Sequence, residues 1–324
     1  MGTGIEWTQE TWNPVSGCSK VSQGCKNCYA EVMAKRLAGR YGYPKEDPFA
    51  VTLHRDRLDM PLRWKTPRNI FVNSMSDLFH PEVPDDFIEE VFAVMACAPQ
   101  HTFQVLTKRP ERMAKWFSSN MRDGMVAGAA QMLGYRNLLP RVTMREFWPL
   151  RNVWIGTSVE NQPAADWRIP HLLKCPAEGR FLSCEPLLGP LNVRPFLEPY
   201  GPAVHWVISG GESGPRARPC HEDWVRSLRD QCTGSEVPFF FKQWGRWLPA
   251  SQVPEGDERL SRVESVLAGQ RFCTGRFIDL GKKASGSLLD GQMWRQFPGQ
   301  MWRKCPDQVA GEAVPGAAGV GVHA

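Results

Sequence analysis

Along residues 70–245 a short apolar run ends six times in a polar cluster. IFV (70–72) runs into NSMSD, FQVL (103–106) into TKR, and VWIG (153–156) into TSVEN. RFL (180–182) runs into SCEP, VHWVI (204–208) into SGGESG, and PFFF (238–241) into KQWG. Helix-like segments lie between these runs. Strands that alternate with helices build a parallel sheet with the helices outside it. The unbroken apolar runs fit strands covered on both faces. Every polar cluster follows its strand, so all lie at the C-terminal edge, where α/β folds place their sites. An open doubly wound sheet would spread six such ends along a line. A barrel converges them on one mouth, and the expected fold is therefore α/β, a partial or full (β/α) TIM-type barrel.

The helix candidates are DDFIEEVFAVMACA (85–98), PERMAKWFSSN (110–120), ADWRIPHLLKC (165–175, interrupted by Pro170) and HEDWVRSLRDQC (221–232). The first has an acidic first turn and the second a proline at its first position. A short strand near 11–15 and a helix over 28–40 bring the tally to about seven β/α units. Residues 118–151 are too long for a simple connection and read as an insertion with one helix, a candidate lid. Residues 1–244 form the expected barrel domain, 245–306 a C-terminal appendage, and 307–324 a Gly/Ala/Val-rich disordered tail. Hydrophobic content of 42% and charged content of 23% are ordinary for a soluble chain. No apolar run approaches membrane-span length. MGTGIEWTQE has no signal-peptide pattern, and Glu6 breaks the myristoylation pattern. A reducing cytoplasm is the expected compartment. A net charge of +5 permits a phosphate-bearing partner without requiring one.

Residues 13–30, NPVSGCSKVSQGCKNCYA, hold Cys18, Cys25 and Cys28 in a C-x6-C-x2-C spacing. The other seven of the ten cysteines are scattered (97, 175, 184, 220, 232, 273, 305). A chain this long does not need disulfide staples, so the cluster reads as a metal or redox site. Structural zinc is normally closed by four ligands, and neither His54, His80 nor the distant cysteines stand at zinc-finger spacing. Three thiolates suit a [4Fe-4S] cluster that keeps one iron open. Gly17 and Gly24 would let backbone approach that cluster, or form ordinary turns.

The loop resembles a variant of the radical S-adenosylmethionine motif, C-x3-C-x2-C with an aromatic residue before the last cysteine. It departs from it in the six-residue first gap, and in Asn27 before Cys28 with Tyr29 after it. YAEVMAKRL, DPFAVTLHRDRL, FVNSMSDLFHPEVP, VLTKRPERM, IGTSVENQ, LSCEPLLGPL, SGGESGPRARP and FFKQWG add to the likeness across residues 5–245. Together they resemble a phage-associated radical-SAM-like family, distantly similar to spore photoproduct lyase. The resemblance implies a barrel of the radical SAM kind. It implies that the open iron chelates S-adenosyl-L-methionine, and that an electron from the cluster cleaves the sulfonium bond. The resulting 5′-deoxyadenosyl radical takes hydrogen from a substrate. It also implies a nucleobase, nucleotide or DNA substrate, with rearrangement of a hypermodified thymine in phage DNA as the specific case. An external electron donor, the cytoplasm of a phage-infected host and isomerase or lyase chemistry complete the expectation.

In radical SAM folds the strand end after the cluster helix contacts the methionine amino group, which points to Asn73, Ser74 and Asp77; Ser76 or Asp77 as a helix N-cap is the alternative. GGES copies a GGE motif but lies several strands late. Gly210 and Gly211 would let backbone approach the cofactor or substrate, and Glu212 would line the site. Arg216 and Arg218 suit a carboxylate or phosphate, or simply a solvated loop. Lys108, Arg109, Ser158, Glu160, Glu185, Lys242 and Gln243 follow their strands as site candidates, with pairing between neighbouring strand ends as the plainer alternative. Cys184 could donate hydrogen to a product radical, or be a buried thiol. Trp148, Trp154, Trp244 and Trp247 could stack on a base. Cys184, Glu185 and Glu212 are thus the expected catalytic set. Two rivals are a non-catalytic zinc or Fe–S nucleic-acid-binding module, and a SAM-dependent methyltransferase or nuclease. The last gives the cysteine loop no role and lacks a Rossmann glycine-rich loop.

Overall fold

A computed structural model describes residues 3–135, 137, 148–197, 203–268 and 273–299. Seven parallel strands form the central sheet: β1 (Glu10–Trp12), β2 (Asn69–Val72), β3 (Thr102–Thr107), β4 (Val153–Ser158), β5 (Gly179–Cys184), β6 (Trp206–Ser209) and β7 (Phe239–Phe241). They pair in chain order, with no reversal. A doubly wound sheet reverses at a switch point, and this one has none.

The sheet is curled. The Trp7 ring lies 4.7 Å from Phe71 of β2, 6.2 Å from Phe181 of β5 and 6.2 Å from Trp206 of β6. In a flat sheet β2 and β6 would be about 19 Å apart, four strand spacings of about 4.8 Å. Phe71, Trp154, Phe181, Trp206, Ile208 and Phe240 fill the inner face. Alternate residues such as Ile70, Val105, Ile155, Leu182, Val207 and Phe241 face the helices. That two-sided burial is why the strands read as continuous apolar runs. No pairing joins β1 to β7, so the barrel is partial.

The helices of eight residues or more are α1 (Tyr29–Arg36), α2 (Asp85–Cys97), α3 (Pro110–Phe117), α4 (Arg122–Met132), α5 (Gln162–Leu173) and α6 (Glu222–Gly234). α5 starts three residues before its expected position, because Asn161 Oδ1 accepts the N–H of Ala164 at 3.1 Å. Pro170 falls in its last turn, where one missing donor does not stop the helix. α4 belongs to the 118–151 insertion. It packs on α2 through Arg122 and Glu89, paired at 2.6 Å, and through buried Val126 and Ala130. This part of the candidate lid lies in the outer layer; residues 138–147 fall outside the described residues.

Beyond β7 the chain forms an antiparallel sheet of β8 (Trp247–Pro249), β9 (Glu264–Ala268) and β10 (Cys273–Asp279), with β10 central. Leu248, Phe277, Ile278 and Leu289 join the main core, so this segment packs as part of it. The chain then returns to cover the free edge of β7. Phe241 N donates to Trp294 O at 2.7 Å and Gln296 N to Phe239 O at 3.1 Å. That covering removes an open row of strand donors and acceptors. The expected tail, 307–324, lies outside the described residues. Among the described residues no helix is long and apolar enough to cross a membrane.

Candidate functional site

A cavity of about 370 Å³ opens at the C-terminal edge of the sheet, and all three clustered cysteines line it. Asn73, Ser74 and Asp77 reach it after β2, Lys108 and Arg109 after β3, and Ser158 at the end of β4. Ser183 and Glu185 line it at and after the end of β5, Gly211 and Glu212 after β6, and Lys242 and Gln243 after β7. Ile5, Trp7 and Lys282, outside the seven strands, also line it.

The cysteine loop is built outward from β1. Val15 and Ser16 pair antiparallel with Leu53 and Thr52, and Gly17 N donates to Met75 O at 3.1 Å. Gly17 has φ +83°, and a Cβ there would stand 2.0 Å from the Ala50 carbonyl oxygen. Close backbone packing therefore requires this glycine. The residues of the long first gap then cross the mouth. Ser19 O and Oγ accept from Arg109 Nη2 at 2.9 and 3.0 Å, at the end of β3. Gly24 N donates to Glu160 Oε1 at 3.4 Å, after β4. Gln23 O accepts from Arg218 Nη2 at 3.1 Å, after β6. Beyond that gap, between Cys25 and Cys28, Asn27 Nδ2 donates to Glu212 Oε2 at 3.0 Å, also after β6. α1 begins at once after Cys28.

Three of the expected site carboxylates tie the cysteine loop to the strand ends. Asp77 accepts from Phe79 N, Thr107 Oγ1, Lys108 N and Arg109 Nη1 at 3.0, 2.7, 3.0 and 3.1 Å. Glu212 accepts from Asn27 Nδ2 and from the backbone and guanidinium of Arg218, at 2.6 to 3.0 Å. Glu160 does not line the cavity. It lies beneath Gly24, paired with Arg168 at 2.8 Å. Burial works to raise its pKa, but the Arg168 guanidinium, a hydrogen bond from Ser22 and Lys108 hold it below the usual carboxylate value. Glu185 differs: it faces the cavity and pairs with Lys242 Nζ at 2.9 and 3.1 Å.

Cys184 is not brought into the site. It is fully buried on the helix-facing side of β5, near Cys220 and Cys232, and burial pushes its thiol far up. Strand alternation turns the preceding residue, Ser183, to the cavity instead. Gly210 does not line the cavity. Gly211 does, but a Cβ there would meet Trp244 O at 1.9 Å, so backbone packing against the end of β7 accounts for it. Arg216 is exposed, and only its carbonyl oxygen is engaged, by Asn27 Nδ2 at 2.7 Å. None of Trp148, Trp154, Trp244 and Trp247 lines the cavity. Its aromatic lining is Trp7, Tyr29, Phe49 and Phe71. The alternation in IFV marks Phe71 as inward or outward only once the curl is known; Trp7 and Phe49 lie outside the strand rhythm and carry no signal.

Among the described residues no group of three or more His, Cys, Asp or Glu side chains converges on a single ion. His54 Nε2 lies 2.7 Å from Ser16 Oγ and His80 Nε2 lies 2.7 Å from Ser19 Oγ. A four-iron cluster takes each thiolate on a different iron and needs no such convergence. Three sulfurs on one cavity fit it. Around them, residues 18–45 carry six basic residues against the single Glu31. Val21, Tyr29, Val32 and Met33 are exposed in the same stretch.

A family model described as protein of unknown function (DUF5131) matches residues 2–298. No curated protein matches. Among solved structures, spore photoproduct lyase complexed with dinucleoside spore photoproduct is 10% identical, with a TM-score of 0.36, covering 84% of this chain and 69% of that one. A mutant of that lyase with bound AdoMet and dinucleoside spore photoproduct is 10% identical, with a TM-score of 0.38, covering 84% and 68%.

Proposed function

We propose that this chain, which belongs to the DUF5131 family of proteins of unknown function, is a radical S-adenosylmethionine enzyme acting on a nucleobase or its substituent in DNA. The observation that carries the reading is the placement of Cys18, Cys25 and Cys28 on one cavity, at the mouth of a parallel half-barrel whose strand ends line the same space. A [4Fe-4S] cluster with S-adenosyl-L-methionine on its open iron would supply a 5′-deoxyadenosyl radical that takes hydrogen from the substrate.

The chain's own residues do the rest. The three cysteines hold the cluster. Asn73, in the left-handed region at φ 60°, has its Oδ1 taken by Val15 N at 3.2 Å, while its buried Nδ2 has no protein partner. With Ser74 it is the proposed contact for the methionine end of the cofactor. Ser158, Ser183 and Lys108 offer polar groups to the rest of it. Trp7 and Phe71 wall the cavity against water, which shields a reactive intermediate. Glu185 is the proposed catalytic carboxylate, oriented by its contact with Lys242 Nζ. The basic stretch over residues 18–45 favours a phosphate-bearing substrate. Rearrangement of a thymine substituent in phage DNA is the specific case we carry forward, with an external electron donor.

The test is anaerobic reconstitution with iron and sulfide, followed by dithionite and S-adenosyl-L-methionine. Formation of 5′-deoxyadenosine is expected. Its absence, even with phage DNA added, overturns the reading. Replacing Cys18, Cys25 or Cys28 by Ala should bleach the brown protein. A colourless wild type carrying one zinc would favour the non-catalytic nucleic-acid-binding module.

A further inference from the structure

The Arg109 guanidinium reaches one of the three sulfurs directly. Its Nη1 stands 3.4 Å from Cys18 Sγ and 3.1 Å from Asp77 Oδ2. Its Nη2 donates to Ser19 O and Ser19 Oγ at 2.9 and 3.0 Å. The side chain is only 10% exposed and that of Asp77 7%. The backbone is held as well: Arg109 N donates to Thr107 Oγ1 at 2.8 Å, and Thr107 Oγ1 donates to Asp77 at 2.7 Å. One planar, permanently charged fork is therefore fixed against a sulfur and the carbonyl next to it.

We infer that Arg109 sets the reduction potential of the iron–sulfur site by donating an N–H to the Cys18 sulfur, with Asp77 as its counterweight. The inference rests on the cluster reading above. A cluster that gains one electron becomes more negative. A hydrogen bond to a ligating sulfur and a neighbouring positive charge stabilise that reduced form and raise the potential. A carboxylate at the same place acts in the opposite sense. Both groups are nearly buried, so solvent and salt screen them weakly. Arg109 is on this account a tuning and positioning residue; it takes no part in bond making.

The experiment is a potentiometric titration of the reconstituted full chain. Dithionite supplies the electron, S-adenosyl-L-methionine is left out, and the EPR signal of the reduced cluster is followed. Arg109→Gln should move the midpoint to more negative potential. Arg109→Lys, which keeps the charge and loses the fork, should move it less in the same direction. Asp77→Asn should move it to more positive potential. If Arg109 only orders the loop, Arg109→Gln will lower iron per chain while the loaded fraction keeps the wild-type midpoint, and the inference fails. Shifts of the same sign for Arg109→Gln and Asp77→Asn overturn it equally. Should Arg109→Gln fail to fold, the Lys and Asn variants still decide by their opposite signs. A wild type that takes up no cluster refutes the cluster reading itself, an outcome visible before any titration.

Discussion

Asp77, Glu160 and Glu212 act on the cysteine loop by accepting hydrogen bonds from it or from the arginine that holds it. A carboxylate after a strand reads the same in sequence whether it ties a loop or meets a substrate. Here the partners decide, and several are far away in the chain: Asn27 lies 185 residues before Glu212. The side chains of Glu212 and Arg218 are 5% and 15% exposed. Glu212→Ala leaves the guanidinium without its carboxylate, at a cost of about 3–5 kcal/mol for breaking a buried pair. The expected outcome is a lower melting temperature together with less iron bound per chain, checked by thermal unfolding and metal analysis. Glu185→Gln should behave differently, with stability and iron content near wild type and loss confined to substrate turnover. Gly17→Ala forces a Cβ into the Ala50 carbonyl at a left-handed φ. It should destabilise the fold and abolish cluster uptake.

Helices α2 and α4 meet over a buried ion pair. Arg122 Nη1 lies 2.6 Å from Glu89 Oε1, and its guanidinium stacks 4.1 Å above the Trp116 ring. Burial raises the Glu89 pKa and lowers that of Arg122, so each charge depends on the other. Arg122→Ala should destabilise by about 3–5 kcal/mol, whereas Glu89→Met with Arg122→Met should lie close to wild type. Denaturant unfolding of both variants checks the contrast. α2, α3 and α6 were legible because helical period and first-turn signals are local. The helix in the insertion was legible too, but its place was not, since the Arg122–Glu89 contact joins elements 33 residues apart. The cover on β7 by residues 294–296 was invisible for the same reason.

At the scale of the molecule, the half-barrel gathers onto one cavity residues that lie from Gly4 to Lys282 in the chain. Removing everything after residue 244 would expose the edge of β7 and uncover core residues that Leu248 and Phe277 now seal. Such a truncation should aggregate on expression, measured by size exclusion against the full chain. Sequence alone determined the seven strands of the central sheet, the helices that follow most of them, the polar strand ends and the three thiols. Each of these is a local pattern, written in apolar period, turn residues and spacing. The expected alternation fails between β5 and β6, which among the described residues only a short 3-10 turn at Arg194–Phe196 joins. Only the tertiary structure decided that Ser183 faces the cavity and Cys184 the helices. It alone decided that Trp7 supplies the aromatic wall and that Glu160 and Glu212 are ties. The physical reason is that facing and pairing depend on how far the sheet curls, and the curl is settled by contacts such as Trp7 with Phe71 and Trp206, between residues that no local pattern connects.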